Sequence, residues 1–277
     1  MSAIRRREAQ VSFVGAGPGD PELLTIRALQ RLQSARVVLH DALVPREILG
    51  LVPPDVRLIS VGKRAGRHSM PQDRINTLLV RLARRGHRLV RLKGGDPAIF
   101  GRLAEEVSAL KEAGVSYEVV PGITAASAAA AATGISLTLR GKARRVQFVT
   151  GHAEDGSDFD PVASGLCDPH VTSAIYMARK AAPKIQAGLL SAGWSREAQA
   201  LIVGNAGRAD EVQIRTRLDA LSRSLAALPR ETAVILLLGA AIRGETRERA
   251  KPLNVPTAVH CPFENMTVPG LSRVKIP

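Results

Sequence analysis

The stretch Lys93-Gly94-Gly95-Asp96-Pro97-Ala98 ends an apolar run, Arg88–Leu92, with two glycines, an acid and a proline. Glycine has no Cβ, so a ligand can approach the backbone closely there. Asp96 can accept hydrogen bonds from a hydroxyl or an amine, and Pro97 stiffens the exit. Taken alone this is a strand-to-loop corner. It has two counterparts. Gly15-Ala16-Gly17-Pro18-Gly19-Asp20-Pro21 follows Val11–Val14, and Pro121-Gly122-Ile123-Thr124-Ala125 follows Tyr117–Val120. Three such corners at strand C-termini outline one crevice at the edge of an α/β sheet, where ligands bind in that class of fold. The first corner is a poor dinucleotide fingerprint. Its third glycine is Gly19 rather than residue 20, and Pro18 lacks a donor that would face a pyrophosphate.

The elements that must position these corners alternate. Strands are predicted at Val11–Val14, Val37–His40, Arg57–Val61, Arg88–Leu92 and Tyr117–Val120, and helices at Leu23–Ser34, Pro71–Arg85, Arg102–Ala113 and Thr124–Thr133. Ile75, Leu78, Leu79 and Leu82 give the clearest helical stripe. This βαβ order implies a parallel sheet with helices on both faces. The polar, basic stretch Gly134–Arg145 reads as a junction. Beyond it come strands at Val146–Thr150, Thr172–Tyr176, Ala200–Val203, Val212–Leu218 and Ala233–Leu238, and helices at Ala181–Ala192 and Leu218–Ala227. The expected organisation is a basic N-terminus (1–10), α/β domains at 11–135 and 136–240, and a mobile tail (241–277).

Composition narrows the function. The chain has 277 residues, 45% of them hydrophobic, so a sizeable core is expected and disorder throughout is excluded. Aromatics are only 3%, which argues against a surface that stacks bases. Cys167 and Cys261 form neither a disulfide framework nor a metal spacing, and they suit a reducing cytoplasm. No apolar segment is long enough to span a bilayer, and none behind Arg5-Arg6-Arg7 reads as a secretory signal. The net charge of +14 calls for an anionic partner, either a nucleic acid or a small polyanion.

Ordered blocks run through the chain. They are Val-Gly-Ala-Gly-Pro-Gly-Asp-Pro (14–21), Leu-Leu-Thr (23–25), His-Asp-Ala-Leu-Val (40–44), Val-Gly-Lys-Arg-Ala-Gly (61–66), Arg-Leu-Lys-Gly-Gly-Asp-Pro (91–97), Ile-Phe-Gly-Arg (99–102), Val-Pro-Gly-Ile-Thr-Ala (120–125), Thr-Gly-His (150–152) and Tyr-Met-Ala (176–178). Together they resemble the uroporphyrinogen-III C-methyltransferase family of the tetrapyrrole methylase superfamily, over about Val11 to Leu238, in its stand-alone form. The resemblance implies an S-adenosylmethionine site in a cleft between two α/β domains. It carries cofactor contacts onto Pro18, Gly94, Gly95, Asp96, Ile99, Thr124, Ala125, Met177 and Ala206. It implies Asp41 as proton acceptor and Lys63 as proton donor, with Arg102, Glu105 and Arg140 in substrate binding and catalysis. Arg64 joins Arg102 and Arg140 as a substrate-binding cation.

The implied activity is methylation of uroporphyrinogen III at C2 and C7, giving precorrin-2, by a cytoplasmic homodimer with no metal and neither nucleic acid nor membrane as partner. A substrate with eight carboxylates would account for the charge, since arginine binds carboxylate through two parallel hydrogen bonds. From residue type alone, Asp41 is equally a turn cap and Lys63 a solvated lysine. The chain departs from the family pattern at Ala98, Leu103, Ala104 and Leu139, while Ala42 stands where many members have Arg but is within the family's range. Three other readings stand beside the first: a methyltransferase acting on a later precorrin, an RNA-directed protein of the same superfamily, and a homologue that only binds the cofactor product.

Overall fold

The computed structural model describes residues 9–62, 70–152 and 159–242. Lys63 and Arg64, most of the basic N-terminus and nearly all of the expected tail lie outside the described residues.

The first half contains β1 (Val11–Gly15), α1 (Ile26–Ser34), β2 (Val37–His40), the short α2 (Arg46–Leu49), β3 (Arg57–Ser60), α3 (Gln72–Arg84), β4 (Leu89–Lys93), α4 (Leu103–Glu112), β5 (Tyr117–Val120) and α5 (Ala125–Thr133). Its five strands form one sheet in the order β3-β2-β4-β1-β5, and every pairing is parallel. That order sets the C-terminal ends of β4, β1 and β5 side by side. The three corners of the sequence therefore meet at one sheet edge.

The helices form for local reasons. Thr25 caps α1 by accepting from the Ala28 amide at 3.1 Å. Ala28 and Leu32 of α1 join Val14, Val38 and Val90 in the core on one face of the sheet. Ile75, Leu79 and Leu82 of α3 join Val11, Phe13 and Leu39 on the other. Each buried Leu or Ile contributes about 1.5–3 kcal/mol. Pro71 is the residue that precedes α3 rather than its first helical residue. With no amide hydrogen to donate, proline fits either place.

The second half contains β6 (Arg145–Thr150), β7 (Val171–Tyr176), α6 (Ala178–Ser191), β8 (Gln199–Gly204), β9 (Val212–Arg217), α7 (Leu221–Ala226) and β10 (Val234–Gly239). The sheet order is β6-β7-β10-β8-β9. β6 and β7 are parallel, β10 runs antiparallel to β7 and β8, and β9 is antiparallel to β8. The C-terminal ends of β6, β7 and β8 thus share one edge.

Further details differ from the sequence reading: α1 begins at Ile26 rather than Leu23, and the short α2 has no counterpart among the expected elements. α6 begins at Ala178, three residues before the expected Ala181, and carries Pro183 inside it. Pro183 falls at the sixth helical residue, past the first turn that best suits a proline. The alanine-rich α5 packs its Ala126, Ala128 and Ala129 against Ala174, Leu201, Ile235 and Leu237 of the second sheet. Its small side chains allow a close approach, and its packing partner lies across the expected boundary at 135.

Candidate functional site

The three corners interlock through backbone. Gly95 N donates to Gly17 O at 2.8 Å, and Gly17 N donates to Gly95 O at 3.2 Å. A Cβ on Gly15 would stand 2.6 Å from Gly122 Cα, and one on Gly122 would stand 2.3 Å from Gly95 O. These glycines let three main chains touch. Gly94 and Gly95 differ from them. A Cβ there would meet only Leu43 Cβ at 3.5 Å and Thr124 Cα at 3.9 Å respectively. The backbone at this turn is bare.

Asp96 ties the second corner to the third. Its Oδ1 accepts from Ala98 N at 2.8 Å and its Oδ2 from Gly122 N at 3.0 Å. Each oxygen thus has one partner within the protein and one remaining lone pair. Ile99 is half-buried just beyond, its amide bonded to Asp96 O at 3.1 Å.

Thr124 is the residue before α5. Its Oγ1 lies 2.5 Å from the hydroxyl of Tyr176, which also accepts from Ala126 N at 3.3 Å. Burial raises the Tyr176 phenol above its ordinary value. The Tyr176 ring packs against Phe100 at 5.0 Å and Phe148 at 5.8 Å between centroids. In a chain so poor in aromatics this grouping is notable. Met177 follows at once, with φ +53° and 49% of the residue exposed.

A fourth corner, after β8, closes on the first. Arg208 Nε donates to Pro18 O at 3.2 Å, and Nη2 donates to Leu43 O at 2.8 Å. Pro18 is buried beneath Gly207, and Ala206 is buried beside it. Phe100, Arg102, Met177 and Asn205 all hold positive φ without being glycine. Each such residue costs roughly 1–3 kcal/mol, and strain of this kind gathers at functional sites. Asn205 is held in place by Ala233 N at 2.9 Å and Asp210 Oδ2 at 2.7 Å.

Asp41 sits just past β2, half-buried, with its amide bonded to Leu92 O at 3.3 Å. Its Oδ1 accepts from Arg91 Nη2 at 2.6 Å. Arg91 also grips the buried Glu106, which accepts from Lys93 Nζ at 2.9 Å as well. Burial pushes the Lys93 amine below its ordinary value, and the neighbouring Arg91 charge adds to the effect. Arg102 and Glu105 form an exposed two-pronged pair at the start of α4, with both contacts at 2.7 Å. Arg140 is exposed on a turn where Leu139 and Ala143 bond to each other. Among the described residues no hydrogen bond links it to the corners.

The geometry thus brings Pro18, Gly94, Gly95, Asp96, Ile99, Thr124, Ala125, Met177 and Ala206 to two facing strand edges, with Asp41, Arg102 and Glu105 at the margin. The sequence reading missed Tyr176, Arg208, Arg91, Lys93 and Glu106 as site residues. For Arg91 and Lys93 a signal existed: two cations alternate inside an otherwise apolar central strand, and buried charges demand partners.

Two α/β sheets with glycine corners gathered at their strand ends define the class of fold, one that binds its ligands at such edges. Residues 10–222 match the family of Tetrapyrrole (Corrin/Porphyrin) Methylases, and the chain belongs to that family. It is 44% identical over 230 residues to a uroporphyrinogen-III C-methyltransferase of Paracoccus denitrificans, covering 83% of this chain and 80% of the relative. It is 46% identical over 240 residues to a siroheme synthase of Yersinia enterocolitica, covering 86% of this chain and 50% of that one. The chain therefore spans about half the length of the siroheme synthases that it matches. A crystal structure of the Thermus thermophilus uroporphyrin-III C-methyltransferase complexed with S-adenosylhomocysteine superposes with a TM-score of 0.70 at 36% identity. The match covers 84% of this chain and 93% of that one.

Proposed function

We propose that this chain is an S-adenosylmethionine-dependent C-methyltransferase that methylates uroporphyrinogen III at C2 and C7 to give precorrin-2. The observation that carries the reading is the bare Gly94–Gly95 backbone, locked between the first and third corners and facing Thr124. It fits a ligand with hydroxyl, amine and carboxylate groups: the amide and carbonyl of Gly95 are spent on Gly17, so the Gly94 backbone, which no side chain covers, is what such a ligand can bond to directly. The half-buried Ile99 and half-exposed Met177 offer apolar contact to the rest of such a ligand. When bound, the cofactor supplies an electrophilic methyl group on a sulfonium.

The chain's own residues do the remainder. Pro18, Gly94, Gly95, Asp96, Thr124, Ala125 and Ala206 hold and orient the donor. Asp41 takes the proton that a pyrrole loses for each methyl cation its carbon gains, and Lys63 serves as donor for proton shifts within the ring system that leave this balance unchanged. Arg64, Arg102 and Arg140 bind substrate carboxylates, with Glu105 holding Arg102 until substrate arrives. The two sheets act as two domains about the cleft. Among the described residues no helix is long and apolar enough to cross a membrane. The enzyme works in the cytoplasm as a homodimer. The exposed Val146 and Phe148 on the edge strand β6 support a second copy of the chain.

Anaerobic incubation with uroporphyrinogen III and labelled S-adenosylmethionine, followed by mass spectrometry, tests the reading. The expected product is heavier by two methyl groups. An unchanged mass in a protein that still binds S-adenosylhomocysteine would point to a later precorrin or to an idle homologue.

A further inference from the structure

β4 lies between β2 and β1, deep in the first sheet, yet its Arg91 and Lys93 side chains are only 2% and 3% exposed. Glu106, from α4, is fully buried and faces both. Its carboxylate accepts from Arg91 Nε at 3.2 Å on each oxygen, from Arg91 Nη2 at 3.1 Å, from Lys93 Nζ at 2.9 Å and from Gln72 Nε2 at 3.2 Å. The Arg91 guanidinium has two further bonds, from Nη1 to Leu92 O at 3.2 Å and from Nη2 to Asp41 Oδ1 at 2.6 Å. Of these four charged groups only Asp41 reaches solvent appreciably, at 32%.

The guanidinium is planar and rigid. A carboxylate that grips one of its edges fixes its plane, and so fixes where the remaining Nη2 hydrogen points. A buried ion cluster is also poor value for stability, because apolar residues of similar volume often serve as well or better. Its position beside the crevice calls for another account.

We infer that Glu106 is a positioning residue. It orients Arg91, and through Arg91 it holds the Asp41 carboxylate at the angle proton transfer needs. This rests on the proposed role of Asp41 as proton acceptor. Glu106 touches neither substrate nor cofactor.

A double-mutant cycle on methyl transfer to uroporphyrinogen III tests it, using wild type, Glu106→Gln, Asp41→Asn and the double variant. Glu106→Gln is expected to lower kcat at least tenfold and to leave S-adenosylhomocysteine affinity within twofold. In the Asp41→Asn background it should cost nothing more, since residues that act as a unit are not additive. Glu106→Gln leaves two buried cations against one anion. The charge-balanced pair Lys93→Met/Glu106→Gln is therefore run alongside, with thermal unfolding as the check on folding. That pair should regain stability and stay slow.

Wild-type kcat in the folded pair overturns the inference, as does an equal slowing by Glu106→Gln with and without Asp41. Those results leave the proposed function intact, provided Asp41→Asn alone is slow. Asp41→Asn at full rate, or a wild-type protein that adds no methyl group, overturns the inference together with the reading beneath it.

Discussion

The Tyr176 hydroxyl lies 2.5 Å from Oγ1 of Thr124, so the last residue of β7 in the second sheet holds the residue that opens α5 at the third corner. The ring meanwhile rests on Phe100, beyond the second corner. One side chain thus couples both halves of the crevice. Tyr176→Phe keeps the ring and removes the bond. A neutral hydrogen bond is worth about 0.5–1.5 kcal/mol, so S-adenosylhomocysteine affinity should fall roughly two- to tenfold. Isothermal calorimetry reads this directly. An unchanged Kd would mean that Thr124 needs no such support.

Asp96 joins two corners with one carboxylate, and both of its oxygens already accept from backbone amides. Asp96→Ala should therefore loosen the third corner as well as remove a ligand acceptor. Hydrogen bonds to a charged group are worth about 1.5–3 kcal/mol, which is tenfold or more in affinity. Asp96→Asn keeps a single acceptor and turns its amide toward one of the two N–H groups. It should bind the cofactor product nearly as poorly as the alanine variant. Wild-type affinity in a folded Asp96→Asn protein would argue that only shape matters at this position.

Much of this architecture is legible in the sequence. The strands from Val11 to Val120 announce themselves as short apolar runs closed by glycine corners, and α3 by its stripe of Ile75, Leu79 and Leu82. The corners Gly15–Pro21, Lys93–Ala98 and Pro121–Ala125 read as one crevice because parallel strands must end on the same side. What lies hidden is partnership across long sequence separation. Glu105 and Glu106 are adjacent acids on one helix, and only the fold decides that Glu105 meets solvent while Glu106 is buried against β4. Tyr176 looks like any strand-ending aromatic until α5 is brought to it. The packing of α5 on the second sheet is equally invisible, because a run of alanines has almost no amphipathic face to read.

Stability in acid should report on Glu118 of β5. Its carboxylate is paired with Arg31 and accepts from Ser12 Oγ at 2.7 Å. The hydrogen bond from Arg31 foremost, then that from Ser12, holds it below its ordinary value of 4.5, against the opposing effect of partial burial. A depressed folded value means that the unfolded chain binds the proton first as pH falls. The contribution is therefore complete above about pH 4.5 and drains away as pH drops through the lower, folded value. Glu118→Gln should lower the melting temperature at pH 7. The gap from wild type should narrow as melts are repeated at successively lower pH below 4.5. A gap that stays constant would show that the charge contributes nothing there.

Substrate recognition should be electrostatic and separable from cofactor binding. Arg102 sits at φ +54° at the head of α4, and its guanidinium fork is occupied by Glu105. Such an exposed pair contributes little to stability, so exchanging Glu105 for a substrate carboxylate costs little. Arg102→Ala and Arg140→Ala should raise KM for uroporphyrinogen III or abolish turnover, while calorimetric affinity for S-adenosylhomocysteine stays at the wild-type value. Arg102→Lys should restore only part of the loss, because an ammonium cannot make the paired bonds of the fork. In wild type, KM should rise with ionic strength, as attraction between an exposed cation and a polyanion is screened. The Arg102→Ala and Arg140→Ala variants should each flatten that dependence. Wild-type turnover at subsaturating substrate in both alanine variants would place neither arginine in the substrate site.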